Sequence, residues 1–469
     1  MAASSIAEGQ NQIVLTTLSG QGDVSLVDYI RLTYQHGFIA DDDALSLGAT
    51  GQQQLTIGGF TKSDIRVFDV TNPSAVQEVI GSIEEQKTGY AVSLRVPGSG
   101  QKNLVALSDG QAKRPIRIAA NVASNWSTSG HGADLIILSH RDFVGTVQPL
   151  VSARQKQGLS VAIVDVEDVY DEFSFGEKTP YAIRDFLSFA RTNWKKPPRY
   201  SLLVGDATYD PKNYLGAGDF DFVPTRLLDT TLMEAASDEW LGDFDQDGIA
   251  EIAIGRLPVR TADEADRMIA RIVRYDQSNS SEETLLVADR NDGYNFEGAN
   301  DELKGLVNGD LRIIDIRRGQ MSDAEAKTML IEAINRGQKI VNYSGHGSVD
   351  LWRAGLLTSA DASVLKNSDH LSLFVLMSCL NGYFDDPVLD SLAEAMMKAP
   401  EGGAVAVWAS SAMTFPEGQA LMNKELYRQL FGSRGLYLGD AIKSAKAAIS
   451  DSDVRRSWIL LGDPTMRLR

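Results

Sequence analysis

Two short segments carry groups that could do chemistry together. Lys339-Ile-Val-Asn-Tyr-Ser-Gly345 runs into His346 and Gly347, and Leu371–Ser378 runs into Cys379. Cys379 is the one cysteine in 469 residues, so internal disulfides and cysteine-based zinc sites are excluded. A lone thiol is either a buried, inert group or a nucleophile. With a pKa of about 8.5 it is mostly protonated near neutrality. A neighbouring imidazole can take that proton and later return it to a leaving amine. Gly345 and Gly347 let the backbone come close to a substrate. The N–H groups of Gly347 and Cys379 are candidate oxyanion donors. Taken singly, a histidine between glycines reads as a turn residue and a strand-end cysteine as core. Together, at the ends of successive strands, they point to thiol catalysis.

Such a pair needs elements that bring it together. Both segments are apolar runs ending in polar groups, as buried strands do. The stretch between them holds one loop and one helix, which fits a parallel crossover. Imidazole and thiol would then emerge on one rim of an open α/β sheet, where function gathers at strand carboxyl ends. The surrounding sequence has the same rhythm. GADLIILSH, RYSLLVGD, EIAIGRLPV, ETLLVADRND, LRIIDIRRGQ and GGAVAVWASS read as strands. Helical patterns alternate with them. One opens with Thr179 and Pro180, and another runs from Ser322 through Glu325 to Gly337. The expected fold class is α/β, with mostly parallel sheets flanked by helices in two subdomains, 129–280 and 281–469. Earlier segments (VSLVDYIRLTYQHGF, QQLTIGGF, SDIRVFDV, YAVSLRVPG, NLVALSDG) alternate apolar and polar residues between turn signals. They predict an all-β, sandwich-like N-terminal domain over 1–128.

Composition narrows the function. There are 45 Lys and Arg against 63 Asp and Glu, a net charge of −18. Such a surface repels phosphate backbones and anionic membranes, so no nucleic-acid partner is expected. Hydrophobic residues make up 43% of the chain, enough for sizeable cores. No apolar run reaches the roughly 18 residues of a transmembrane segment. The opening MAASSIAEGQNQ lacks the basic and apolar regions of a signal peptide, and a signal cut away before it is left open. Serine-nucleophile, dinucleotide and P-loop signatures are missing.

A second cluster suggests a cation. Asp243, Asp245, Asp247, Gly248 and Glu251 match the first, third, fifth, sixth and ninth positions of an EF-hand loop. The twelfth position would be Ile254, which cannot ligate, and a strand follows where a helix should. The expectations are a structural calcium site completed from elsewhere, or a solvated acidic hairpin.

Asn342-Tyr-Ser-Gly-His-Gly-Ser348 and Met377-Ser-Cys-Leu-Asn-Gly-Tyr-Phe384 resemble the two signature segments of the gingipain-like cysteine peptidases, within the caspase-like clan of His/Cys peptidases. Leu203–Thr208, Ile254–Pro258, Gly403–Ser410 and Gly462–Pro464 extend the resemblance across residues 130–469. It implies a caspase-like fold, often preceded by a strand-rich leader. It implies an endopeptidase acting on protein or peptide substrates through a thioester acyl-enzyme. Cys379 would be the nucleophile and His346 the general acid/base, with no cofactor for catalysis and calcium as a structural ion. The position matching a carboxylate that orients the histidine is Glu251, which competes with its calcium reading. The family's preference for a basic P1 residue implies an acid in the S1 pocket. Asp263 and Glu264 lie near that position, although Thr261–Asp266 also reads as a helix start. Trp408 and Phe415 are candidate pocket walls, although Trp408 lies inside the apolar run and reads more readily as core. The resemblance also implies a secreted or cell-surface location and allows a propeptide or further domains outside this sequence. Acyl transfer to an amine, as in sorting-type relatives, stays open. So does a latent binding module, against which the intact His346 and Cys379 argue.

Overall fold

Alternating apolar residues turn one face of each early strand inward. In the computed structural model, Leu55, Ile57 and Phe60 are buried on strand Gln54–Phe60 while Thr56 faces out. The structure describes residues 11–16, 30, 36–115, 120–279, 281–307, 309, 311–432 and 435–469. The strand expected over residues 24–38 falls almost wholly outside them. The chain divides into two units, at Asn121 and Val122. In the first, Ala44–Thr50, Gln101–Ser108, Ile65–Asp69 and Gln77–Glu78 form one antiparallel sheet. Gln54–Phe60, Gly89–Arg95 and Ser82–Gln86 form another. Ile57, Val67, Val92, Leu104 and Ala106 share one apolar core, which gives the expected sandwich-like arrangement.

The second unit is built on ten strands. They are β1 (Leu135–Ser139), β2 (Val161–Asp165), β3 (Tyr200–Val204), β4 (Ala253–Leu257), β5 (Glu283–Ala288), β6 (Arg312–Arg317), β7 (Ile340–Ser344), β8 (Ser372–Met377), β9 (Ala404–Ser410) and β10 (Trp458–Leu461). Their order in the sheet is β6-β5-β7-β8-β9-β10-β4-β3-β1-β2. Every neighbouring pair is parallel except β9 and β10. The strands on the two sides of β10 therefore run in opposite directions. The exits of β5, β7, β8 and β9 share an edge with the approach to β4. The two alternating blocks expected over 129–280 and 281–469 thus share one sheet, and a continuous core runs from Leu135 and Leu202 through Leu461 and Trp408 to Val375 and Leu286.

Every residue of β7, β8 and β9 is buried, as in parallel strands covered on both faces. The sheet is flanked by helices α1 (Pro180–Asn193), α2 (Ala262–Tyr275), α3 (Phe296–Lys304), α4 (Asp323–Arg336), α5 (Pro416–Gly432) and α6 (Ser452–Ser457), of which α3, α5 and α2 pack on β7, β8 and β9 respectively. Their ends follow the sequence signals. Thr179 accepts from the Tyr181 N–H with Pro180 at the first helical position. Ser322 accepts from the Glu325 N–H at 3.2 Å, and Gly337 follows α4 at φ +86°.

A buried cation pins β4. Arg256 is fully buried and donates to both Asp238 oxygens at 2.7 and 2.7 Å. Its remaining terminal nitrogen reaches the carbonyls of Gly205 and Val223 at 2.7 and 2.8 Å. The Phe384 ring lies 5.0 Å from the guanidinium carbon.

Candidate active site

Strands β7 and β8 pair in parallel with Ser344 opposite Met377, and the Gly345 N–H donates to the Met377 carbonyl at 3.1 Å. Two residues beyond that shared register come His346 on one strand and Cys379 on the other. Both loops are tightly seated. A side chain at Gly345 would meet Asp289 Cβ at 2.4 Å, and one at Gly347 would meet the Cys379 carbonyl and Asn381 Oδ1 at 2.9 Å. The His346 loop can pass over the Cys379 turn only because Gly347 has no Cβ. Gly347–Ser348 then pairs antiparallel with Leu351–Trp352.

The backbone of His346 is held from both sides. Its N–H donates to Asp289 Oδ2 at 3.2 Å, and Asp289 is fully buried and bridged to Arg318 at 2.7 Å. Its carbonyl accepts from the Tyr343 hydroxyl at 2.8 Å and the Arg353 N–H at 3.0 Å. The Tyr343 ring stacks on Trp352, centroids 4.0 Å apart. The imidazole itself is half exposed. Its Nε2 lies 3.0 Å from Asp292 Oδ1, and Phe296 packs edge-on at 5.3 Å. The Arg353 guanidinium bonded to Asp292 holds that carboxyl below the usual carboxylate range. Imidazole bonded to a carboxylate through Nε2–H keeps Nδ1 as a proton acceptor.

Around the thiol, Leu380 adopts φ +61°, and its N–H donates to the Ala412 carbonyl at 3.2 Å. A non-glycine residue there stores backbone strain of about 1–3 kcal/mol. Asn381 fixes the turn. It accepts from Ser378 Oγ at 2.5 Å and donates to the carbonyls of Ser348 and Leu351 at 2.6 and 3.2 Å. One side chain thus ties the cysteine loop to the histidine loop. Cys379 Sγ donates to the Thr414 carbonyl at 3.5 Å. Burial pushes the thiol pKa up, so thiolate formation near neutrality needs a base. In His346→Ala, alkylation of Cys379 by iodoacetamide is expected to be slow until the pH exceeds about 8.5. The wild-type thiol is expected to react from near neutrality. Equal pH–rate curves for the two proteins contradict that coupling.

The profile of peptidase family C25 matches residues 128–469. The chain belongs to peptidase family C25. This is the family of gingipain-like cysteine peptidases. Gingipain R2 of Porphyromonas gingivalis is 22% identical over 364 residues, covering 71% of this chain and 46% of that protein. Gingipain R1 of the same organism is 22% identical, covering 71% of this chain and 34% of its own length. The chain therefore spans less than half of these curated relatives. Among solved structures, the Arg-specific cysteine proteinase gingipain R superposes with a TM-score of 0.59 at 22% identity, over 75% of this chain and 80% of that one. Dimeric latent PorU from P. gingivalis gives 0.50 at 17%, over 92% and 39%. These likenesses show a common fold.

In this C25 chain several residues stand elsewhere than the sequence suggested. Asp292, at the exit of β5, meets His346, and Glu251 does not. Glu251 lies before β4, and its Oε2 accepts the Phe244 N–H at 2.7 Å inside the acidic loop. Asp263 and Glu264 open α2. Thr261 caps the helix through the Glu264 N–H at 3.2 Å, the Glu264 carboxylate accepts the Arg260 N–H at 2.7 Å, and Asp263 faces solvent. Trp408 is fully buried in β9 and packs on Trp458. Phe415 does stand at a cleft. A cavity of about 280 Å³ is lined by Thr414, Phe415, Met413, Leu232, Asp451 and Asp453. Its wall includes Thr414, whose carbonyl takes the thiol, and Asp451 and Asp453 supply carboxylates that the sequence reading passed over. Both also serve the local fold, which disguised them. Asp451 caps α6 through the N–H groups of Asp453 and Val454 at 3.0 and 3.1 Å. Asp453 accepts the Thr231 N–H at 2.8 Å.

The acidic loop gathers three carboxylates. Oxygens of Asp243, Asp245 and Asp247 lie within 4.8 Å of one another. Gly248 at φ +85° makes the turn, and Asp243 Oδ2 accepts its N–H at 2.9 Å. Burial pushes the Asp243 carboxyl up. These three residues fit a hard divalent ion, whereas Glu251 is committed to the backbone. Among the described residues, no helix is long and apolar enough to cross a membrane.

Proposed function

We propose that this chain is a cysteine endopeptidase that hydrolyses peptide bonds through a thioester acyl-enzyme. The observation that supports the reading is the shared register of β7 and β8, with His346 and Cys379 each two residues beyond the paired Ser344 and Met377. In the proposed reaction, imidazole Nδ1 takes the thiol proton and Sγ attacks the scissile carbonyl carbon. The oxyanion is received by the N–H groups of Gly347 and Cys379. Collapse breaks the C–N bond, and the imidazolium protonates the leaving amine. Water, deprotonated by the same imidazole, then cleaves the thioester. Asp292 orients the ring and stabilises its charged form, the role that the sequence resemblance assigned to Glu251. No catalytic cofactor enters.

The substrates are proteins or peptides with a basic P1 residue, held in the cleft beside Thr414 by the Asp451 carboxylate against the Phe415 ring. Labelling with peptidyl acyloxymethyl ketones tests both halves of the reading. A single adduct on Cys379 that needs His346, formed faster with Arg or Lys than with Asp or Asn at P1, is the expected result. Asp451→Asn keeps a capping side chain and removes its charge. It is expected to lower selectivity for basic P1 about tenfold to a hundredfold, the worth of a hydrogen bond to a charged group. Failure of every probe to label Cys379 would overturn the enzyme reading, and unchanged selectivity in Asp451→Asn would overturn the pocket.

Asp243, Asp245 and Asp247 are proposed as a structural calcium site. At a hundred times its Kd, calcium would stabilise by about 2.7 kcal/mol, raising Tm at neutral pH. Because the Asp243 carboxyl is pushed up by burial, it protonates early as the pH falls. The gain should fade as the pH falls into the carboxylate range and vanish in Asp245→Asn/Asp247→Asn. A Tm gain that survives in that variant contradicts the assignment. A secreted or cell-surface setting, where calcium is abundant, accords with this site.

A further inference from the structure

A second cleft lies on the imidazole side of the pair. It is a groove of about 370 Å³ between the start of α3 and the face of α5. Tyr294 and Ala299 form one wall and Ala420 and Leu421 the other. The small residues Gly298, Ala299 and Ala420 give it depth. Leu421 is 59% exposed. A Lys424–Glu302 bridge closes one end. Glu417, at the other, has no ion-pair partner among the described residues. The groove joins the imidazole through a chain of rings. Tyr294 packs edge-on against Phe296 at 5.2 Å, and Phe296 packs on His346 at 5.3 Å.

Position then decides the occupant. The acyl half of a substrate stays on Sγ, with its P1 side chain in the cleft beside Thr414. The departing amine must lie where the imidazolium can protonate it, so the chain beyond the scissile bond leaves along the histidine side. On that side Phe296 packs on His346 and Tyr294, a wall of the groove, packs on Phe296. We infer that the α3–α5 groove is the leaving-group-side subsite, taking a large apolar side chain of the peptide and rejecting an acidic one. The inference rests on the peptidase reading above. Apolar walls favour Leu or Phe, and the Glu417 carboxylate repels Asp or Glu.

The test uses quenched-fluorescence peptides with a fixed basic P1 and Leu or Glu at each of the first three positions beyond the cleaved bond. A peptidyl-aminocoumarin substrate, which has no residues beyond that bond, is run beside them. The wild type is expected to prefer Leu over Glu at one of those positions by tenfold or more in kcat/KM. Leu421→Lys is expected to reduce that ratio at least tenfold and move it towards Glu. The ratio is read within one enzyme, so loss of active protein cancels. If the coumarin substrate is cleaved and all three positions are indifferent, or Leu421→Lys leaves the ratio unchanged, the subsite is wrong while the peptidase stands. If Cys379-dependent cleavage of the coumarin substrate itself is missing, the peptidase reading falls and the subsite with it.

Discussion

Cys379→Ala is expected to lose peptidase activity by four to six orders of magnitude, the scale seen when a covalent nucleophile is removed. No other thiol exists in the chain to replace it. The fold should not notice. The one hydrogen bond recorded for the side chain is the weak contact with the Thr414 carbonyl, and alanine fits the space of cysteine. The tie between the two loops runs through Asn381, which stays. Hydrolysis of a fluorogenic substrate and thermal unfolding, measured on the same preparations, check both halves. Residual activity within tenfold of wild type, at unchanged Tm, would remove Cys379 from the mechanism. Asn381→Ala would tell a different story, because it frees the carbonyls of Ser348 and Leu351 and lets the loops drift.

Asp238→Ala is expected to cost about 3–5 kcal/mol of stability, because it leaves the Arg256 guanidinium buried without its carboxylate. The urea midpoint should fall with little change in slope. Replacing the pair together, as Asp238→Leu/Arg256→Met, should recover only part of the loss. The Gly205 and Val223 carbonyls would then lack the donor that now satisfies them. Full recovery in the double variant would mean that those carbonyls find other partners, and that the ion pair alone carried the cost.

The parts of the site that could be read in the sequence were those with a local signature. Strand runs of continuous apolar residues, each ending in glycine, serine or cysteine, placed His346 and Cys379 at strand exits. The caps at Thr179 and Ser322 were legible for the same reason, since capping needs only neighbours in sequence. Asp292 was not. It sits in Asp289–Asn295, a polar stretch where one acid looks like another, and only the pairing of β5 with β7 brings it to the imidazole. Glu251 was assigned that role by resemblance, but its carboxylate is engaged by its own loop. Asp451 and Asp453 look like ordinary helix-start acids, as Asp263 and Glu264 do. What separates the pairs is which sheet edge each helix begins on. That depends on β10 reversing the direction of the sheet, and a four-residue apolar strand carries no such information. Trp408 shows the limit in the other direction, since an aromatic beside a catalytic strand is still core when both faces of the sheet are covered.

The position of β10 also has a bearing on the order in which the molecule is made. It lies at the seam of the sheet, yet residues 458–461 are synthesised after all nine other strands. Until that strand is in place, the facing edges of the two half-sheets, on β9 and β4, have no partner. His346 and Cys379 stand on the later-made half and can be in place while that gap is open. The Asp451–Asp453 wall of the cleft emerges immediately ahead of the seam strand. Reactive groups thus precede both the pocket that would choose their substrates and the closure of the body that carries them, and the two arrive together.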